Sequence, residues 1–174
     1  LTPKYQGRLR FDFIGWQTMG EIQRYCSRLP DDAVVLLLSF TRDSAGEVFS
    51  LERSADLITP HCRVPVYSLW DFHLHHGVVG GQLTTGFSQG EKAGELALRI
   101  LTGEPPASIP IVKESPNRYV FDYTIMRKFG IEEDRLPQGS MVINKPVSFY
   151  SQYKTYAWQT IAAFLLLFAV ICVI

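Results

Sequence analysis

The chain has 174 residues, of which 47% are hydrophobic and 20% charged, and its 17 Lys and Arg residues balance 17 Asp and Glu residues. This apolar content excludes an intrinsically disordered chain, and the balanced charge without a basic stripe argues against a nucleic-acid-binding protein. Three cysteines are too few for a disulfide-rich secreted scaffold. We therefore expect one folded domain, or part of a larger one.

The soluble part of the chain alternates strand-like and helix-like patterns. Apolar residues recur on one helical face in four segments, which predicts helices over 18–29, 46–58, 88–101 and 123–129. Short apolar or alternating runs predict strands over 8–14, 33–40, 64–69, 109–112 and 119–121. Residues 70–87, which contain four glycines, have the composition of a loop.

Two of these segments carry more specific expectations. The unbroken apolar run 33–40 is typical of a strand that is covered on both faces, as in parallel sheets. In helix 88–101, Ser88 and Glu91 have the spacing of a capping box. Gly103 stands where a left-handed residue would end that helix.

The alternating order predicts an α/β domain with an open parallel sheet that is flanked by helices. Ligands of such sheets bind beyond the carboxyl ends of the strands, which here are followed by residues 39–43 and 70–72. We predict a ligand site there, and its residues are Ser39, Thr41, Arg42, Trp70, Asp71 and Phe72.

Each residue of this predicted site can make a particular kind of contact with a ligand. The hydroxyls of Ser39 and Thr41 can hydrogen-bond a ligand, and Arg42 can pair with a carboxylate or phosphate. Trp70 and Phe72 offer faces for stacking, with Asp71 between them. The alternative for the two aromatic side chains is packing in the core.

Other groups of residues carry weaker predictions. His73, His75 and His76 lie close to Asp71, but no accompanying zinc motif is present, so we expect solvated histidines and no metal. The glycines at 77, 80 and 81 lack the ending of a phosphate-binding loop and indicate a flexible crossing segment instead. No set of catalytic residues stands out in the sequence, so we expect neither catalytic residues nor a cofactor.

Two cysteines, Cys26 and Cys62, have apolar surroundings and are interpreted as small core residues, although a disulfide between them remains open. The third, Cys172, lies in residues 161–174, which have no other polar side chain. Lys154 is the only charged residue from Ser151 onwards.

Aromatic residues stand beside that lysine, as at a membrane–water interface. A bilayer-spanning helix needs about 20 mostly apolar residues. We interpret residues 158–174 as the truncated start of a transmembrane helix, residues 141–157 as a juxtamembrane linker and residues 1–140 as the domain before it. The alternative is a buried C-terminal helix of a soluble protein.

Several motifs, in order, resemble those of a known family. They are the segment from Asp31 to Phe40, Thr41–Arg42–Asp43, Pro65–Val66–Tyr67, Gly77–Val78–Val79–Gly80–Gly81, the segment from Gly90 to Gly103, Tyr119–Val120–Phe121–Asp122, the segment from Leu136 to Ser140, and the segment from Lys145 to Tyr150. Together they resemble the second half of an ABC-transporter substrate-binding-like sensor domain of bacterial membrane sensor histidine kinases.

This resemblance implies a two-lobed type I periplasmic-binding fold, with the first lobe mainly before Leu1 and a crossing between lobes at residues 70–87. It implies a kinase after Ile174, a small-molecule ligand, and a homodimer formed through the full-length receptor. The location implied is the bacterial inner membrane, with residues 1–150 periplasmic. Where similar sequences have a glycine-containing stretch, this chain has the segment from His73 to His76, so no specific ligand is carried over.

Three functions follow from these features. The first is the extracytoplasmic ligand-sensing domain of a membrane-bound signal-transduction receptor, a sensor histidine kinase. The second is the substrate-binding component of an ABC transporter, which a C-terminal spanning helix would argue against. The third is a membrane-anchored α/β hydrolase, for which no set of catalytic residues stands out in the sequence.

Overall fold

The computed structural model describes residue 5, residues 7–147 and the backbone of residues 149–173, without the side chains of residues 149–152, 166–167 and 169–173. The proposed roles of Ser148, Cys172 and Ile174 and of the Phe149 and Tyr150 side chains therefore lie outside the described residues. The chain forms two compact units, Leu1–Ile143 and Asn144–Ile174, and each is described by itself.

The described residues of the first unit form four helices and five short strands. In chain order they are α1 (Met19–Cys26), β1 (Val35–Leu37), α2 (Leu51–Ile58), β2 (Val66–Ser68), β3 (Gly80–Leu83), α3 (Gly86–Leu101), β4 (Arg118–Asp122), α4 (Tyr123–Lys128) and β5 (Met141–Ile143). Single 3-10 turns occupy Thr59–His61, Asp71–His73, Pro106–Ser108 and Glu133–Arg135.

The five strands form one sheet in the order β1-β2-β3-β4-β5. Strands β1, β2 and β3 run parallel, β4 runs antiparallel to β3, and β5 runs parallel to β4. The predicted α/β class, with helices flanking a sheet and segments 33–40 and 64–69 as parallel neighbours, is confirmed. The sheet is mostly parallel instead of wholly parallel, because β4 returns in the opposite direction.

Local hydrogen bonding explains where the first two helices begin. Thr18 and Glu21 form a reciprocal capping box at the start of α1, whose residues Met19, Ile22 and Cys26 are buried. The Ser50 hydroxyl accepts a hydrogen bond from the Arg53 amide and thereby caps α2. Both helices begin and end inside the predicted segments.

Two apolar clusters lie on opposite faces of the sheet. Val66 and Val78 belong to the cluster beneath α1 and α2, whereas the next residues, Tyr67 and Val79, pack with Met126 of α4. Successive strand residues point to opposite faces, so α1 and α2 cover one face and α4 covers the other.

The expectation that segment 33–40 is covered on both faces is wrong. Strand β1 is the edge of the sheet, and its outward side chains are exposed by 67% at Val34, 54% at Leu36 and 49% at Leu38. Leu36 is aligned with Tyr67 of β2, so both side chains lie on the same face of the sheet as α4. The exposed side chains of β1 lie on that face beyond the area that α4 covers. We call Val34, Leu36 and Leu38 the bare strand face.

Helix α3 differs from its prediction in its start and in its packing. Its cap is Thr85, whose hydroxyl accepts from the Ser88 amide at 2.9 Å, and the expected cap at Ser88 is wrong because the helix begins two residues earlier. Its apolar residues do not pack on the sheet, and Leu101 is 83% exposed. Gly103, with φ of +102°, takes the predicted left-handed conformation.

The predicted loop 70–87 contains strand β3, which the sequence pattern concealed. Gly80 has φ of +126°, and a Cβ there would overlap the Val120 carbonyl oxygen. A Cβ at Gly81 would overlap the Ser68 carbonyl oxygen in the same way. Only glycine allows β3 to lie this close to both neighbouring strands. Because glycines occupy these positions, the β3 sequence lacks the alternating apolar pattern of an ordinary strand.

Two further predicted strands are absent from the described structure. Residues 8–14 and 109–112 have no regular secondary structure. Phe13 is 81% exposed and Ile111 is 87% exposed, so neither segment has the neighbour that a strand needs. Conversely, β5 lies at the start of the predicted linker 141–157 and pairs with β4.

The second unit contains one long helix, α5 (Phe149–Val173), of 25 residues. Within the part of the chain that the structure describes, no helix meets the length and apolarity needed to cross a membrane. The transmembrane helix predicted over 158–174 is therefore not supported by this structure.

The two described cysteines are free thiols inside the first apolar cluster. The Cys62 thiol donates to the Ile58 carbonyl oxygen at 3.4 Å. Its contact with the Cys26 thiol, together with burial, raises the Cys62 pKa. The interpretation of both residues as small core residues agrees with their exposed fractions of 3% and 4%.

Candidate functional site

The rim of the sheet where β1, β2 and β3 end carries the predicted site. Because these strands are parallel, the segments that follow them leave the sheet at the same edge. The antiparallel strand β4 begins at this edge, so the residues just before Arg118 also lie at this edge.

Trp70 and Phe72 form a stacked aromatic pair on this rim. Their ring centroids are 5.6 Å apart and the ring planes differ by 13°. Trp70 is 37% exposed, Phe72 and Asp71 are half-buried, and Asp71 begins the 3-10 turn Asp71–His73. The pair therefore presents an aromatic surface with a carboxylate in the segment between its two members.

The β2 end is held by hydrogen bonds to the segment after β3. The Thr84 amide donates to the Leu69 carbonyl at 2.8 Å, and the Asp71 amide donates to the Thr84 carbonyl at 3.3 Å. The parallel ladder thus extends past both strands to Trp70 and Thr84. This pairing fixes the backbone that carries the aromatic pair.

A buried histidine lies under the aromatic pair. The His73 ring meets the Phe72 ring edge-on, with centroids 4.7 Å apart and planes at 81°. Its Nδ1 atom is 2.7 Å from the Ser68 hydroxyl, which also accepts the Trp70 amide at 3.0 Å. Burial is the main reason that the His73 pKa lies below its ordinary value.

The β1 end has exposed polar residues. Ser39, Thr41 and Arg42 are all exposed, and within the described residues Arg42 makes no ion pair. The backbone here is ordered by a narrow turn, because the Phe49 amide donates to the Thr41 carbonyl at 2.9 Å. Arg42 faces Val48 across the same turn.

Asp43 organises this turn from inside. Its carboxylate accepts hydrogen bonds from the amides of Ala45 at 3.0 Å, Glu47 at 2.9 Å and Met19 at 3.1 Å. Asp43 is only 4% exposed, and Met19 is the first residue of α1, where a negative charge is favourable. Asp43 therefore positions Thr41 and Arg42 instead of offering a ligand contact.

A polar group that the sequence reasoning missed completes the rim. The Asn117 side-chain amide donates to the Thr84 hydroxyl at 2.8 Å, and Gln89 donates to the Asn117 carbonyl oxygen at 3.1 Å. Asn117 and Gln89 are 28 residues apart in sequence. No short motif marks them, since only the antiparallel return of β4 brings them together.

The structure thus brings some predicted residues into contact and leaves others apart. Trp70 and Phe72 stack on each other across the 3-10 turn that begins at Asp71. Among the described residues, no hydrogen bond, ion pair or ring contact joins Ser39, Thr41 and Arg42 to the aromatic pair. The two groups share an edge of the sheet through the adjacent strands β1 and β2.

The histidine-rich segment has no metal-binding arrangement. Within the residues that the structure describes, no three His, Cys, Asp or Glu side chains are placed to hold a metal ion. His73 is buried, in contrast to the expected solvated histidine, because its turn folds back beneath α2. His76 pairs with Asp56 at 2.8 Å.

The rim can bind a small molecule by stacking and hydrogen bonding. Hydroxyls, one carboxylate, one unpaired guanidinium and an aromatic surface are the groups that orient polar organic ligands. The hydrogen-bonded pair Ser68 and His73 is buried, so it does not present a nucleophile at the rim. Comparison with protein families, curated proteins and solved structures finds no match to this chain.

Proposed function

We propose that this chain is the extracytoplasmic ligand-sensing part of a membrane-bound signal-transduction receptor, a sensor histidine kinase with a type I periplasmic-binding-like sensor. The observation that carries the proposal is the rim of the sheet. Three parallel strands end there beside a partly exposed aromatic pair, which is where α/β binding domains take small molecules.

The uncovered apolar surfaces support a two-lobed arrangement. The bare strand face and the exposed Leu98 and Leu101 of α3 are apolar surfaces that a complete binding domain covers. In the proposed arrangement an element of the complete domain packs on the bare strand face, and α3 packs on the other lobe. Ligand closing the two lobes would then shift a conformational equilibrium in the receptor.

Membrane attachment is the part of the proposal that rests on sequence alone. Residues 161–174 carry no polar side chain except Cys172, and aromatic residues with Lys154 precede them. No helix among the described residues satisfies the criteria for a span. Fractionation of cells that express the full chain tests this part: we expect the chain in the detergent-extractable membrane fraction, and recovery in the soluble fraction would contradict it.

The binding proposal is tested by a ligand screen followed by a pair of matched variants. The screen uses thermal shift with L-amino acids, mono- and disaccharides, and dicarboxylic acids on the full chain. Calorimetric titration of the best compound then compares Trp70→Ala with Trp16→Ala. Trp16 is 79% exposed and does not belong to any of the segments that follow β1, β2 and β3, so it controls for the loss of a tryptophan.

We expect Trp70→Ala to weaken binding about fivefold or more, because a lost aromatic partner is worth about 1 kcal/mol beyond buried area. Trp16→Ala should leave the affinity unchanged. Equal affinities for wild type and both variants would place the ligand elsewhere. Delivery of the same compound to a permease, without an effect on a kinase, would favour the transport alternative.

A further inference from the structure

His73 is the most deeply buried polar side chain near the rim. Its exposed fraction is 0%, and its ring lies edge-on against Phe72, which in turn stacks on Trp70. It also closes the 3-10 turn Asp71–His73 that carries the pair. The position of both aromatic rings therefore depends on how this imidazole is packed.

The two nitrogen atoms of His73 have unequal surroundings. Nδ1 lies 2.7 Å from the Ser68 hydroxyl, and the same hydroxyl accepts the Trp70 amide. Nε2 is buried and has no hydrogen-bond partner among the described residues. A neutral imidazole tolerates this arrangement, because only one of its nitrogens carries a proton.

A protonated His73 would not be tolerated in this place. The imidazolium has two N–H donors, and Ser68 can accept only the one at Nδ1. The positive charge would stay buried, and only the Leu51 backbone carbonyl would favour the second donor, so burial makes the protonated form costly. Burial, and then the neighbouring His76, lower the His73 pKa from 6.5, in agreement with this geometry.

We propose that His73 makes the aromatic pair pH-sensitive: gaining a proton releases the turn Asp71–His73 from its packing and separates Trp70 from Phe72. One consequence of this inference, a lower ligand affinity at acidic pH, rests on the proposed function. The conformational step itself needs no ligand.

Other charged groups near His73 act on the same equilibrium. Glu52 on α2 favours the protonated form of His73, whereas His76 disfavours it. His76 itself pairs with Asp56 of α2 at 2.8 Å, a contact that ties the segment to α2. Asp71 lies in the same 3-10 turn. His73 is thus the histidine of this segment whose protonation opens it.

The direction of the pH effect follows from proton binding. The closed form binds a proton on His73 less readily than the open form, where the pKa returns to about 6.5. The closed form therefore loses stability as the pH falls through 6.5, until the pH reaches the lowered pKa. One proton changes the equilibrium by at most about tenfold per pH unit.

The test uses Trp70 as the sole tryptophan of the full chain. Trp16→Phe and Trp158→Phe remove the other two, which are 79% and 58% exposed. Emission maximum and acrylamide quenching are measured from pH 7.5 to pH 5 without ligand. We expect a red shift and stronger quenching below pH 6.5, reversible on return to neutral pH.

The response should vanish in His73→Gln and persist in His61→Gln, which changes an exposed histidine. His73→Leu repeats the test if the glutamine variant does not fold. A pH response that persists in the folded His73 variants, or that depends on His76 instead, would overturn the proposal. A flat response in the parent chain would overturn it as well. Failure of the ligand screen, with the response intact, would count against the proposed function alone.

Discussion

At the scale of single residues, Asp43 is the side chain on which the β1 end of the rim depends. Its buried carboxylate accepts three backbone amides, one of them from the first residue of α1. We expect Asp43→Ala to lower the free energy of unfolding by about 1–3 kcal/mol, because these amides lose their partner in a largely buried place. Urea denaturation followed by circular dichroism measures the change.

The control for this prediction is Asp31→Ala, which removes an exposed carboxylate close to the same strand. That variant should change the free energy of unfolding by less than about 0.5 kcal/mol. Equal losses in the two variants would mean that Asp43 acts only through its charge and does not organise the turn.

At the scale of elements, Thr85 and Ser88 are the two residues that could cap the start of α3. The structure assigns the cap to Thr85, so Thr85→Ala should destabilise the chain by about 1 kcal/mol. A capping box at Ser88 would instead require Glu91, which within the described residues has only a distant contact with Arg118 at 3.7 Å. Thermal unfolding of Thr85→Ala and Glu91→Gln compares the two; a larger loss in Glu91→Gln would contradict the assigned cap.

Helices were the elements that the sequence pattern predicted best. The apolar spacing in α1 and α2 reflects burial on one face, and the sheet on which they pack is present. Helix α3 has the same spacing, but most of its large apolar residues are exposed. Periodicity therefore indicates a face that can be buried without indicating what buries it.

Strands were predicted less well, because their patterns depend on neighbours. The run around β1 is apolar on both faces, but only one face is covered in this structure. The glycine-rich strand β3 has no apolar run, since close approach to β2 and β4 requires glycine there. The Thr84, Asn117 and Gln89 contacts of the rim were likewise unpredictable, because they arise from long-range pairing.

At the scale of the whole molecule, the bare strand face should be detectable as a dye-binding surface. Leu36 is 54% exposed, so Leu36→Lys should reduce binding of a hydrophobic fluorescent dye without lowering the melting temperature. The neighbouring Leu37 is only 7% exposed, and Leu37→Lys should unfold the chain. A large loss of stability in Leu36→Lys would show that this face is already covered.

The central claim is that ligand binds where β1, β2 and β3 end, and amide hydrogen exchange tests it most directly. The full chain is compared with and without the compound that the thermal-shift screen identifies. We predict slower exchange over residues 39–43 and 69–74, with little change over α2 and α4. Protection confined to the groove of about 440 Å³ between α3 and residues 112–116, with the two rim segments unchanged, would contradict the claim.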